Sequence, residues 1–197
     1  VSGADVSYSW GDPQNFTKTY AVQIQVVNVL NPDGSVTPRT EVVFTVTHRV
    51  GSAGLEEYAQ HLTDQAQKDQ FMAALMDVGP NSQFFRQDYL GQDGKIMRRS
   101  WTWTSADGKT TYVLREDHAM VPVGVEDQRQ ADIRWSFESR TQVTRAEVEQ
   151  YAAQMPEDQR AQLLEALVAT DASTVFTRTV SGADVSYSWG DPQNFTK

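Results

Sequence analysis

The chain has no cysteine among its 197 residues. That excludes a disulfide framework, a thiolate nucleophile and a thiolate-bound metal, and it leaves the compartment open. Histidine is scarce too. His48, His61 and His118 stand apart, without the His-x-x-x-His or Glu-x-x-His spacing that aims two ligands at one ion, so no metal is expected. No apolar run approaches the roughly 18 residues that would cross a bilayer as a helix, so no membrane partner is expected, and no charged-then-apolar leader pattern is visible. Positive charge is in short supply: 17 Lys and Arg against 26 Asp and Glu give a net charge of −9. Nucleic-acid affinity rests on cations that neutralise phosphates, so no nucleic-acid partner is expected. There is no glycine-rich phosphate loop, no Gly-x-Ser-x-Gly elbow and no complete calcium loop. These absences favour a non-enzymatic role with no catalytic residue and no cofactor.

What is present is repetition. Residues 1–18 recur unchanged as residues 180–197, a period of 179 residues. A fainter repeat lies inside that period. Leu55-Glu-Glu-Tyr58-Ala-Gln-His-Leu62, followed by Gln70-Phe71-Met72-Ala-Ala-Leu75-Met76, parallels Val148-Glu-Gln-Tyr151-Ala-Ala-Gln-Met155, followed by Gln162-Leu163-Leu164-Glu-Ala-Leu167-Val168. Flanking segments match as well: Phe84-Phe85-Arg86 with Phe176-Thr177-Arg178, Thr19-Tyr20 with Thr111-Tyr112, and Ser9-Trp10 with Thr102-Trp103. Half-repeats that have diverged are old, whereas identical full repeats are recent or engineered.

Local patterns place the elements. Thr144-Arg-Ala-Glu147 is a capping box that opens a helix, and Pro156 fits the start of a second piece. Gly54 to Leu62, then Thr63-Asp64 as N-cap chemistry, then Gln65 to Val78 closed by Gly79-Pro80, predict a helix in two pieces over 54–78, matched by another over 145–169. Alternation of apolar and polar residues predicts strands near 6–10, 18–29, 41–50, 83–90, 96–105, 110–121, 131–141, 174–179 and 185–189. Turns are expected at Asn31-Pro-Asp-Gly34, Asp93-Gly94 and Asp107-Gly108.

The expected fold is α+β, with two homologous modules. Each is a helix in two pieces packed on a roughly four-stranded antiparallel sheet, and the second is circularly interrupted. Residues 1–80 are assigned to part of module A, 81–170 to module B, and 171–197 to the first strands of the next module A. Helix plus four-stranded sheet is also the outline of cystatin-like and NTF2-like folds, without residues that carry either signature.

Two copies of one strand imply competition for one sheet edge, and an unpaired strand with an aromatic face is a template for joining another chain. The leading functional expectation is therefore a structural or assembly module of a tandem-repeat or self-associating protein. Its partners are copies of itself or adjacent repeat units, and Val6, Tyr8, Trp10, Val185, Tyr187 and Trp189 form the assembly interface by strand exchange. One alternative is a small-molecule carrier or enzyme whose pocket is lined by Tyr8, Trp10, Trp101, Trp103 and Trp135. Another is an engineered chain with a duplicated terminal strand. Glu116 and His118 share a strand face as a candidate acid–base pair, with Asp117 on the other face. Arg98, Arg99 and Arg115 form a basic spot for a carboxylate or for an acidic neighbour. Asn15-Phe16-Thr17 and Asn194-Phe195-Thr196 fit a glycosylation pattern that arises easily by chance. A secreted or cell-surface setting is weakly favoured.

Overall fold

The computed structural model describes residues 6–12, 14, 17–31, 33–91, 94–119 and 132–190. Parts of both duplicated ends, residues 1–5 and 191–197, lie outside them, as do most of the two glycosylation-type triplets. The described strands form one antiparallel sheet of nine, hydrogen-bonded in the order in which they occur in the chain. They are β1 (Val6–Gly11), β2 (Lys18–Leu30), β3 (Val36–Val50), β4 (Phe84–Leu90), β5 (Ile96–Thr104), β6 (Thr110–Ala119), β7 (Asp132–Val143), β8 (Phe176–Ser181) and β9 (Asp184–Trp189). Helical segments are inserted after β3 and after β7.

This architecture corrects the expectation of two modules with separate four-stranded sheets. The helices interrupt the chain but not the sheet. Val50 at the end of β3 pairs with Phe84 at the start of β4, and Val143 at the end of β7 pairs with Phe176 at the start of β8. Each helical excursion leaves the sheet and returns to the adjacent position, so the ladder runs on across both half-repeats. Strand periodicity reports which residues share a face, and it is silent on whether a ladder stops at a helix.

The local devices act as their chemistry requires. Gly108 adopts φ 74° in the β5–β6 turn, where the Asp107 carboxylate accepts the Lys109 N–H at 2.9 Å. Helix α1 (Gln65–Met76) begins at Asp64, whose carboxylate accepts the Gln67 N–H. Helix α2 (Arg145–Ala152) carries the full capping box: the Thr144 hydroxyl accepts the Glu147 N–H, and the Glu147 carboxylate accepts the Thr144 N–H. Helix α3 (Glu157–Val168) starts after Pro156. The first piece of the earlier helix is a 3-10 segment, Leu55–His61, entered from Gly54 with no side-chain cap.

All helical segments lie over one face of the sheet, and two apolar clusters result. The larger joins Leu55, Leu62, Phe71 and Ala74 to Phe84, Trp101, Trp103, Leu114 and Phe137. The smaller joins Val148 and Leu167 to Val143 and Phe176, with Leu163, Tyr187 and Trp189 against it. The first helical insertion thus reaches from Val50 at the end of β3 across β4 to β7, whereas α2 and α3 reach from Val143 at the end of β7 across β8 and β9.

Candidate functional site

The two copies of the duplicated strand sit at opposite edges of the same sheet. β1 pairs with β2 from Val6 opposite Ile24 to Gly11 opposite Thr19. β9 pairs with β8, with Val185 opposite Val180, Tyr187 opposite Arg178 and Trp189 opposite Phe176. The expected competition for one edge within a chain therefore does not occur. Each copy uses one side of its backbone ladder, and among the described residues no strand pairs with the other side. Identical sequences are paired on complementary sides, β1 toward the strand that follows it and β9 toward the strand that precedes it.

The aromatic side chains show what each edge lacks. In the middle of the sheet Trp103 meets Phe84 at 5.3 Å, Tyr112 at 5.7 Å and Phe137 at 6.1 Å between ring centroids. Tyr112 and Phe137 stack at 6.2 Å and 23°. The same constellation occurs once more, divided between the ends. At one edge Trp189 meets Phe176 at 5.4 Å. At the other, Trp10 meets Tyr20 at 5.8 Å and Phe44 at 6.2 Å, while Tyr20 and Phe44 stack at 6.0 Å and 21°. The Tyr58–Trp101 contact of 4.8 Å likewise has its counterpart in Tyr151–Tyr187, also 4.8 Å. Trp10 and Trp189 are the same residue of the duplicated segment, so one tryptophan position is represented twice, each time with part of its surroundings.

Helix α3 tells the same story. On α1 the face Gln67, Phe71 and Ala74 lies against the sheet, and Phe71 and Ala74 are buried. The Gln67 carboxamide accepts the Phe137 N–H, and the Ala74 carbonyl accepts the Trp103 indole N–H at 3.0 Å. Gln70 both donates to the Gly182 carbonyl and accepts the Gly182 N–H, each at 2.9 Å, which fixes the β8–β9 turn. The α3 sequence repeats these residues as Gln159, Gln162, Leu163 and Ala166. There Gln159, Gln162 and Ala166 are exposed and Leu163 is half-buried. The Gln-x-x-Gln-x-x-x-Ala-Leu spacing common to the two helices was a readable sequence signal for this face.

The five residues expected to line one pocket do not come together. Trp101 and Trp103 are buried in the larger cluster, and Trp135 stacks on Trp101 at 5.7 Å and on His61 at 4.7 Å. Tyr8 and Trp10 lie on β1, 61% and 47% exposed. Trp101 and Trp135 stack under Tyr58, and Trp103 packs among Phe71, Phe84, Tyr112 and Phe137. A cleft of about 440 Å³ opens beside them, between Gly51, Leu55, Tyr58, Arg86 and Trp101. Of the interface candidates, Tyr8, Trp10 and Val185 are exposed, Tyr187 and Trp189 are half-buried, and Val6 is paired through its backbone.

The charged candidates find partners within the sheet. Arg99 donates to Asp88 at 2.7 Å, Arg98 to Asp117 at 2.6 Å and Arg115 to Glu138 at 3.2 Å. Arg99 shares the helix-bearing face with Asp88, and the other two pairs lie on the opposite face. They are not one basic spot. Glu116 and His118 are paired at 2.7 Å. Burial, then the Arg86 charge, push the His48 pKa below its ordinary value, against the pull of Asp88 at 3.6 Å. Among the described residues no group of three potential ligands is placed to hold a metal ion. No helix among them is long and apolar enough to cross a membrane.

Compared with known proteins, the chain matches no family model, no curated protein and no solved structure.

Proposed function

We propose that this protein is a structural unit that joins to copies of itself through the edges of its sheet, with the duplicated strand at the joint. The observation that carries the reading is the placement of one sequence at both free edges, paired on opposite sides. An edge strand presents unpaired N–H and C=O groups, and strand addition to such an edge is a general mode of association. Closed or covered edges are the common protection against this, and among the described residues no further strand pairs with either edge. The joint it supports is heterologous, head to tail, because the two edges differ in what lies next to them. Heterologous contacts extend into open arrays when the rotation between copies does not close a ring. Sedimentation velocity from micromolar to millimolar concentration tests the reading: the mass of the full chain is expected to rise steadily, and a constant monomer mass over that range contradicts it.

A further inference from the structure

We infer that the joint is a strand replacement: β9 of one copy takes the place of β1 in the next, against β2, and its α3 helix closes over Tyr20, Val22 and Phe44 of that next copy. The inference rests on the self-association reading above and specifies the surfaces that meet. Because β9 has the sequence of β1, it can adopt the β1 register, with Val185 opposite Ile24, Tyr187 opposite Val22, Ser188 opposite Ala21 and Trp189 opposite Tyr20. The ladder on β2 is unchanged by the exchange. β9 keeps β8 on its other side, which β1 lacks.

The side chains decide in favour of the exchange. At the joint a single tryptophan, Trp189, meets Phe176 of its own copy together with Tyr20 and Phe44 of the next. That restores the surround of three rings that neighbouring strands place around Trp103 in the middle of the sheet. In the isolated chain neither Trp10 nor Trp189 has it. The helix pair supplies the cover. Beyond Val50 at the end of β3 the first helical insertion covers β4 to β7, while beyond Val143 at the end of β7 α2 and α3 cover β8 and β9, and the acceptor's β2 and β3 would complete the second set. The exposed positions Gln159, Gln162 and Ala166 then occupy the place that Gln67, Gln70 and Ala74 hold on α1. Simple edge-to-edge addition of β9 onto an undisplaced β1 inserts a surplus strand and leaves both tryptophans half-surrounded, so replacement is the arrangement that completes the pattern.

The absence of native cysteine makes the test clean. In the double variant Ala21→Cys, Ser188→Cys the two thiols lie opposite each other across the proposed joint, at the separation of about 4.5 to 5.5 Å between antiparallel partners that a disulfide accepts. Within one copy they are seven strand positions apart, far beyond bridging distance. Mild oxidation of the double variant in the whole 197-residue chain is expected to give a reducible ladder of dimers and larger species. Adding Ala166→Arg, on a residue exposed in the monomer, is expected to cut ladder formation at least tenfold with no change in Tm, whereas Met72→Arg on the outer side of α1 leaves it intact. Absence of the ladder while the unsubstituted chain still gains mass overturns strand replacement and leaves self-association standing. A ladder indifferent to Ala166→Arg overturns the helical cover. A chain that stays monomeric overturns both readings together.

Discussion

The contrast between Trp103 and Trp10 shows how much one side chain depends on what surrounds it. Trp103 is 1% exposed, donates its indole N–H to the Ala74 carbonyl and touches rings from α1, β4, β6 and β7. Replacing it with alanine removes the largest fully buried side chain and leaves a cavity that packed neighbours fill only in part. A loss of about 3–5 kcal/mol is expected from urea unfolding. Trp10, in the matching position but open on one side, is expected to cost about 1 kcal/mol in the dilute monomer. Equal losses for the two substitutions would contradict the divided surround described here. His48 supplies a second residue-scale expectation. It faces Lys18 from β2, Arg86 and Asp88 from β4, and Arg99 from β5, and its folded pKa lies below the ordinary 6.5. The native state therefore resists a proton that the unfolded chain accepts. This contribution to stability is complete above pH 6.5 and is lost as pH falls from there toward the depressed folded pKa. Urea midpoints of the wild type should decline between about pH 7.5 and about pH 5.5, and His48→Gln should flatten that part of the decline.

At the scale of elements, the β8–β9 hairpin is held by β7 on one side, by Phe176, Tyr187 and Trp189 in the smaller apolar cluster, and at its tip by one carboxamide. Gln70 makes both hydrogen bonds to Gly182, whose φ of 60° fits the tight turn. A Cβ there would meet the Asp64 carboxylate at 3.2 Å and the Gln67 side chain at 3.3 Å. Gln70→Ala removes both bonds, each worth about 1 kcal/mol. The effect should concentrate in the hairpin, because among the described residues no strand lies beyond β9. Amide exchange of β8 and β9 is expected to accelerate about tenfold or more, the equivalent of about 1.4 kcal/mol, while exchange in β5 and β6 stays as it was. Uniform acceleration throughout the sheet would show that the tip is not a local latch. Most of these elements were legible in the sequence. Alternation gave the strands, Thr144 and Glu147 the start of α2, and the Asp-Gly pair at 107–108 a turn that the structure contains. What could not be read was the pairing of Val50 with Phe84 and of Val143 with Phe176, which merges two half-repeats into one sheet. Partner choice across a helical insertion depends on where that excursion returns, and this is set by packing of Phe71, Ala74, Val148 and Leu167 on the sheet. The 3-10 form of Leu55–His61 was equally hidden, since its apolar spacing also suits an α-helix. The arginine pairs were hidden for a related reason: Arg99 and Arg115 sit on opposite faces, and sequence proximity does not make them neighbours.

For the whole molecule the decisive quantity is the balance between the proposed joint and the net negative charge of the chain. Each copy carries a net charge of −9. Copies brought end to end repel one another, and the repulsion acts over distances comparable to the Debye length, which shrinks from about 30 Å at 0.01 M salt to about 8 Å at 0.15 M. The surfaces proposed to meet are apolar or neutral: Trp189, Phe176 and Leu163 from one copy, Tyr20, Val22 and Phe44 from the other, with the carboxamides of Gln159 and Gln162 beside them. Screening therefore removes the opposing term and leaves the attractive one in place. Association is expected to strengthen as sodium chloride rises from about 0.02 to about 0.5 M, with the concentration at half-assembly falling several-fold. Sedimentation velocity at fixed protein concentration over that salt series measures it. A joint built from ion pairs gives the opposite slope, since added salt weakens it. Weakening of assembly with salt would move the contact away from the bare β1–β3 face and onto the charged surfaces of the sheet.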